Sequence, residues 1–135
     1  MTTPAALRAL ADRCEREPAS NQLNGDIAEA LGLPPKWWVR KSAPPAETHW
    51  WRNCDFTDAG PPTFIAPDFT GSVDAALTLL PAGMAAEVDT FGNGSCWKKD
   101  KPQDRLHSGE CPRAPAAALC AAILRARAKM MEDGK

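Results

Sequence analysis

The stretch PDFTGSVDAALTLLP, residues 67–81, carries the clearest fold signal in the sequence. Its apolar residues recur at helical spacing, which predicts an amphipathic helix over 71–80. Thr70 is placed to cap the N-terminus of this helix, and Asp74 lies in the first turn, where the helix dipole favours a carboxylate. Pro81 ends the pattern. The residues expected to face the core are Val73, Ala76, Leu77 and Leu80.

Two further helices are predicted before this segment. The first begins at Pro4, with Thr3 as its cap. The second begins at about Asn21 or Asn24 and ends at Leu31, where glycine and proline follow. Each helix carries an apolar stripe, so we expect the two to pair as a helical hairpin. The stripe of the first helix is formed by Leu7, Leu10, Ala11 and Cys14.

The last helix is predicted to begin near Pro115 and to end at about Met131. Its first half is apolar on nearly all sides, which indicates deep packing. Arg125, Arg127 and Lys129 follow, and the helix dipole favours cations at this C-terminal end.

Four strands are predicted between the helices. Aromatic and β-branched residues make 36–41 and 48–56 strand candidates. The runs 84–91 and 95–100 flank a Gly-Asn-Gly turn, which is a strong hairpin signal. The order α-α-β-β-α-β-β-α predicts an α+β fold, an αβα sandwich with a mainly antiparallel sheet covered by helices. Outside these elements lie 63–67, expected to be extended but not a central strand, and 101–112, expected to be a polar loop.

Length and composition indicate one ordinary globular domain over residues 1–135. Hydrophobic residues make up 44% of the chain and charged residues 24%, values that exclude wholesale disorder. The formal net charge is −1. Because no global field then attracts nucleic acid or an anionic membrane, binding of either would need a local patch.

The sequence also predicts a cytoplasmic protein. Charged residues such as Arg8 and Asp12 interrupt the N-terminal segment, which therefore lacks the apolar core of a signal peptide. The most apolar stretch, 75–86, is broken by Pro81 and Gly83, so no transmembrane span is expected. The five cysteines are an odd number without a secretory signal, and reduced thiols are the simplest interpretation.

One family resemblance covers most of the chain, about residues 26–127. The segment FTGSVDAALTLLP, a following hairpin and the terminal PAAALCAAILRAR helix resemble the phage ABA-sandwich domain family of small phage and prophage proteins. The segment DIAEALGL at 26–33 and a Trp-bearing strand with Trp50 and Trp51 fit the same family. The resemblance implies an α/β/α sandwich and a phage or prophage origin, and it implies no reaction, cofactor or catalytic residue. Its matching helix residues are Thr70, Ser72, Asp74, Ala75, Ala76 and Leu77.

Histidines and cysteines occur at spacings loosely like those of a zinc site. His49 and Cys54 form one pair, His107 and Cys111 form another, and Cys96 lies on the predicted hairpin. Zinc prefers four such ligands in a tetrahedron. The chain has no Cys-x2-Cys knuckle, so we favour plain thiols and solvated histidines, and we expect no metal and no cofactor.

Nucleophilic catalysis is a weaker possibility. Cys96 or Ser95 could pair with His107 or His49 as nucleophile and base. The sequence has no nucleophile-elbow pattern, and turn chemistry by itself accounts for the nearby glycines. We therefore expect a protein that is not an enzyme.

A basic and aromatic run suggests contact with nucleic acid. Lys36, Arg40 and Lys41 alternate with Trp37 and Trp38, and stacking plus phosphate contacts is how single strands are held. The competing interpretation is a half-buried strand with solvated cations, which we favour. Single-stranded nucleic-acid binding is thus one alternative function, and a zinc-stabilised binding module is the other.

The preferred prediction is a binding protein. The adjacent pairs Trp37/Trp38 and Trp50/Trp51 pack in the core if both faces of their sheet are covered, and otherwise they form a contact patch with Arg40 and Lys41. With no chemical motif and with the family resemblance, the sequence predicts a non-enzymatic phage or prophage accessory protein. It would bind a host or phage protein, with inhibition of a bacterial defence system as one form.

Overall fold

The computed structural model describes residues 2–32, 36–39, 51–54, 64–65, 68–101 and 107–134; at 21, 36–39, 51–54 and 64–65 this description is of the backbone. In these ranges four helices and six strands follow the order α-α-β-β-β-α-β-β-β-α. The helices are α1 (Pro4–Arg16), α2 (Asn21–Ala30), α3 (Val73–Leu77) and α4 (Pro115–Asp133). The strands are β1 (Lys36–Val39), β2 (Trp51–Cys54), β3 (Phe64–Ile65), β4 (Met84–Val88), β5 (Asn93–Lys98) and β6 (His107–Glu110).

The strands form two three-stranded sheets. In the sheet β4-β5-β6 both neighbouring pairs are antiparallel, and β5 is the central strand. In the sheet β1-β2-β3 the pair β1/β2 is parallel and the pair β2/β3 is antiparallel. The predicted α+β class, with helices packed on a mainly antiparallel sheet, is confirmed.

Helix α4 forms the centre of the described core. It packs against β5 and β6 on one side and against α1 and α3 elsewhere, so its residues from Ala116 to Leu124 are all buried. This explains why the first half of the helix is apolar on nearly all sides. The predicted deep packing is confirmed, and the helix ends two residues later than predicted, at Asp133.

The sheet approaches α4 closely because two glycines face it. Gly94 and Gly109 are register partners on β5 and β6. A Cβ on Gly94 would lie 2.8 Å from the Leu119 nitrogen, and a Cβ on Gly109 would lie 2.8 Å from the Ala121 Cβ. Since real Cβ contacts are almost never this short, only glycine fits at either position at this helix–sheet distance.

The two N-terminal helices form as predicted. The Thr3 side chain accepts a hydrogen bond from the Ala6 N–H, which caps α1, and Ser20 caps α2 by accepting from the Leu23 N–H. Gly32, with a φ of 69°, follows the end of α2. The predicted apolar stripe of α1 is buried at every position, namely Leu7, Leu10, Ala11 and Cys14.

Helix α3 is shorter than predicted and has a different cap. Ser72, not Thr70, caps it by accepting a hydrogen bond from the Ala75 N–H at 3.3 Å. After Leu77 the chain tightens into i to i+3 hydrogen bonds, which rotate each residue further round the axis than α-helical bonds do. Leu79 is therefore buried, while Leu77, expected in the core, is 40% exposed.

Two short strands were not predicted. β3 lies in the segment expected to be extended, and among the described strands it pairs with β2 alone, at the edge of its sheet, as a proline-flanked segment should. β6 lies inside the expected polar loop. Its sequence HSGE conceals the strand because the residue that faces α4 is a glycine, so no apolar alternation marks the buried face.

The predicted hairpin is confirmed, but its turn lies three residues earlier, at 89–92. The Asp89 carboxylate accepts hydrogen bonds from the backbone N–H groups of Phe91 and Asn93, at 2.9 and 3.0 Å. These bonds hold the pKa of Asp89 below its ordinary value. Gly92 has a φ of 83°, and Asn93 already belongs to β5. The turn forms at 89–92, and not at the predicted Gly-Asn-Gly, because the Asp89 side chain bonds to backbone groups of this turn.

Candidate functional site

A groove lies where the first turns of α1, the end of α2 and the last turns of α4 meet. We call it the helix-end groove. It has a volume of about 390 Å³ and is lined by Leu7 from α1, Ala30 and Leu31 from the end of α2, and Arg127, Met130 and Met131 from α4, with Thr2 and Pro81 at its rim. The α4 residues are spaced i, i+3 and i+4, so they share one face of the helix.

The walls of the helix-end groove are mostly apolar and partly open to solvent. Met130 is 41% exposed and Met131 is 42% exposed, so two neighbouring large apolar side chains are partly open to solvent. Leu31 beside them is half-buried. Methionine side chains are flexible and polarizable, and they suit surfaces that adapt to an apolar partner.

Arg127 is the charged residue of the helix-end groove. Its Nε donates to the Leu79 carbonyl oxygen at 2.7 Å, and this bond holds the side chain along the groove wall. Within the described residues, no carboxylate pairs with Arg127. Half-burial without a counter-charge disfavours the cation, so its pKa lies below the ordinary arginine value.

Arg125, two residues earlier, has the opposite environment. Its guanidinium donates to Glu15 at 2.6 and 2.8 Å and to Asp12 at 2.9 Å, and it also reaches the Ser108 carbonyl oxygen at 2.8 Å. These carboxylates raise the pKa of Arg125. Arg125 therefore ties α4 to α1 and β6 through its charge, whereas Arg127 bonds to the Leu79 carbonyl oxygen and, among the described residues, to no carboxylate.

A second depression adjoins the groove across Met130. It also has a volume of about 390 Å³, and Met130 lines it together with Gly83, Lys98 and Lys99. Both lysines are exposed, and Asp100 stands at the same rim. Met130 is thus flanked by Arg127 on one side and by two lysines and one aspartate on the other.

Comparison with known proteins gives no relative. The chain matches no family model, no curated protein and no solved structure. The resemblance to the phage ABA-sandwich domain family thus stays a prediction.

None of the side chains of the predicted tryptophan patch is among those that the structure describes. Trp37 and Trp38 are in β1, and Trp51 begins β2; the backbone register pairs Trp37 with Arg52 and Trp51 with Lys36. Both segments are strands, as predicted. Trp50, Arg40 and Lys41 lie outside the described residues. Protein binding and nucleic-acid binding by this patch both stay predictions.

The structure brings two of the five weak zinc candidates together. Cys96 on β5 and His107 on β6 are register partners. Cys111 follows β6 and is buried, His49 lies outside the described residues, and only the backbone of Cys54 is described. In the described ranges, no group of three or more His, Cys, Asp or Glu residues could hold a metal ion.

The neighbouring pair Cys96 and His107 is not arranged as a nucleophile and base. The Cys96 thiol is buried and donates to the Ala122 carbonyl oxygen at 3.6 Å. Burial raises the pKa of Cys96 to about 12, so the thiolate is scarce at neutral pH. Burial, with Lys129, Arg8 and Lys98 nearby, lowers the pKa of His107. A thiolate–imidazolium pair needs both shifts in the opposite direction.

Within the described part of the chain, no helix combines the length and the apolar character that a membrane crossing requires.

The groove residues were not singled out from the sequence. From the sequence, Arg127 is a cation that favours the C-terminal end of the helix dipole, and Met131 is the predicted helix end. The available signal was the spacing of Arg127, Met130 and Met131 on one face of a helix whose apolar first half already accounts for the core. The sequence could not show which other segments would meet this face.

Proposed function

We propose that this protein acts without catalysis, by binding another protein through the helix-end groove. One observation carries the proposal: Met130 and Met131 are each about two-fifths exposed beside Arg127, whose charge has no ion-pair partner among the described residues. Methionine and arginine are enriched at protein interfaces, and arginine is frequent among residues that dominate binding energy. The groove therefore combines an adaptable apolar surface with one charged group, the Arg127 guanidinium, that can orient a bound partner.

The described chemistry favours binding over catalysis. Cys14, Cys96, Cys111 and Cys120 are buried, and the pKa of Cys96 is raised far from the range of a nucleophile. Among the described residues that line the groove, Arg127 is the charged one, so they contain no acid–base pair.

The family resemblance suggests the setting. A member of the phage ABA-sandwich domain family would be a phage or prophage accessory protein in the cytoplasm of the bacterial host, and its partner would be a host or phage protein. Inhibition of a bacterial defence system is one form that such binding would take. Expression in a defended strain should then raise phage plating efficiency, and Met131→Asp should abolish the gain.

Site-specific crosslinking tests the proposal directly. A photoreactive benzoylphenylalanine is placed at Met131 in the groove and, in a second variant, at Thr90 in the exposed turn between β4 and β5. Met84, at the start of β4, lines a depression together with Met130, whereas Thr90 lies beyond the far end of β4. We expect one bacterial or phage protein to crosslink at 131 and not at 90, with a lower yield when Met130→Ser is added. Identical products at both positions, or none at 131, would show that the groove is not a contact surface.

A further inference from the structure

The helix-end groove also indicates the chemistry of its occupant. We infer that the partner presents an acidic amphipathic helix, with apolar side chains toward Met130 and Met131 and a carboxylate toward Arg127. This inference rests on the proposed function and specifies its partner.

Arg127 carries a charge that the described residues leave without a counter-charge. Its Nε bonds to the Leu79 carbonyl oxygen, and its two Nη nitrogens have no hydrogen-bond or ion-pair partner among the described residues. A guanidinium fork with free Nη donors fits a carboxylate in a bidentate manner. Because the side chain is half-buried, such a pair is screened less than one on an open surface.

The carboxylates on the last turn of α4 do not supply a counter-charge to Arg127. Glu132 forms an ion pair with Arg8, and Asp133 forms one with Lys129 at 3.3 Å. Both acids on the last turn of α4 are therefore already engaged. A carboxylate from outside the described residues is the group that would complete the site.

Positive charge also lies on the other side of Met130. Lys98 and Lys99 line the adjoining depression with Asp100, which leaves one net positive charge there in addition to Arg127. A helix lying across Met130 would meet cations on both sides of its apolar contact. Helix-in-groove recognition uses this division, with an apolar face in the groove and charged residues at its edges.

Nucleic acid fits the same surface less well. Single strands are held by aromatic side chains on which bases stack, and the lining of both depressions consists of aliphatic, methionine, threonine, proline and charged residues. The apolar walls would remain exposed under a phosphate backbone. The chemistry of this surface thus favours an acidic protein segment over a nucleic acid.

A panel of synthetic peptides tests this. Three fluorescein-labelled helical peptides of about 18 residues, or five turns, are compared by anisotropy. The first has leucine on one face and glutamate elsewhere, the second replaces each glutamate by lysine, and the third replaces each leucine by glutamine. We expect the first to bind at least about tenfold more tightly than the others, and its Kd to rise with salt.

Variants of Arg127 test whether this residue binds the acidic peptide. Arg127→Met should weaken binding of the acidic peptide about tenfold, and Arg127→Lys should lie between that variant and the wild type. The matched control is Arg16→Met, which removes an exposed charge nine residues after Leu7 in α1, about 14 Å along the helix axis. It should leave the Kd unchanged. Circular dichroism confirms that each variant is folded.

The outcomes separate this inference from the proposed function. If the lysine peptide binds as tightly as the glutamate peptide, or if both Arg127 variants bind as the wild type does, the acidic occupant is wrong. A crosslinked protein at Met131 would still support the proposed function in that case. Competition of the acidic peptide by a 20-nucleotide oligothymidylate, with weak direct peptide binding, would assign the surface to nucleic acid. If Arg127→Met does not fold, Arg127→Lys and the salt dependence of the wild type decide the result.

Discussion

The Thr70 hydroxyl and the Thr70 backbone N–H both donate to one atom, Asn24 Oδ1, at 2.8 and 3.1 Å. The Asn24 amide nitrogen in turn donates to Asp68 Oδ1 at 3.0 Å. Thr70 is fully buried and Asn24 is 4% exposed, so water cannot replace these bonds. Two residues 46 apart in sequence thus attach α2 to the turn that precedes α3.

Asn24→Ala should destabilise the protein strongly. It leaves two buried donors of Thr70 without an acceptor, and each unsatisfied buried group costs about 1–3 kcal/mol. We expect the free energy of unfolding in urea to fall by about 3 kcal/mol. The control is Gln22→Ala on the exposed side of the same helix, which should change it by less than about 0.5 kcal/mol. Equal effects would mean that the network contributes nothing specific.

Gly109→Ala and Gly25→Ala should have opposite effects. At Gly109 the new methyl group would lie 2.8 Å from the Ala121 Cβ, so β6 or α4 must move. Overpacking of this kind costs about 2–3 kcal/mol. Gly25 lies in α2 with nothing within 4 Å of an added Cβ, and alanine should stabilise the helix there by about 0.5–1 kcal/mol. Thermal unfolding of both variants checks the prediction, and a stable Gly109→Ala variant would contradict the close helix–sheet approach.

Glu15 should contribute to stability at neutral pH and lose that contribution in acid. Its hydrogen bonds with Arg125, and one from the Glu110 N–H, lower the pKa of Glu15 below 4.5 in the folded state. The contribution is therefore complete above pH 4.5 and is lost as the pH falls through the lower folded-state value. Glu15→Gln should reduce the free energy of unfolding at pH 7 by about 1–2 kcal/mol, since the pair is partly screened by solvent.

The pH profile distinguishes this from a general loss of packing. In urea unfolding at several pH values, the difference between wild type and Glu15→Gln should shrink below pH 4.5. A difference that stays constant down to pH 2 would contradict the role of the charge. Glu29→Gln, an exposed position on α2, should stay within about 0.5 kcal/mol of the wild type at pH 7.

Four of the five cysteines should resist thiol reagents in the native protein. Cys14, Cys96, Cys111 and Cys120 are buried, and a hydrogen bond with Cys14 together with burial raises the pKa of Cys120. The pKa of Cys96 is about 12. Titration with a chromogenic disulfide reagent at pH 7.5 should detect at most one fast thiol, that of Cys54, and all five after denaturation. Rapid modification of Cys96 would restore it as a candidate nucleophile.

Prediction from sequence succeeded where the signal is local. Thr3 and Pro4 mark the start of α1, and the all-apolar run after Pro115 marks the buried helix, because capping and periodicity act within a few residues. Strand β6 was missed because its buried position is Gly109. A glycine facing a helix leaves no apolar pattern to detect.

The candidate site was the least predictable part. The tryptophans of 36–41 and 48–56 indicated a binding surface by their residue type. The groove residues Arg127, Met130 and Met131 are ordinary for the end of a helix. Their significance depends on Leu7 and Leu31, which reach the same place from distant parts of the chain.

Short-range signals were thus enough to establish the α+β class, the terminal helices and the β4–β5 hairpin, since each follows from contacts between near neighbours in sequence. Tertiary packing alone decided that Thr70 bonds to Asn24 instead of capping α3, and that Arg125 has two carboxylate partners while Arg127 has none in the described structure. The reason is physical: a side chain's partner and its exposure depend on which distant segments meet, and the spacing along one helix does not contain that information.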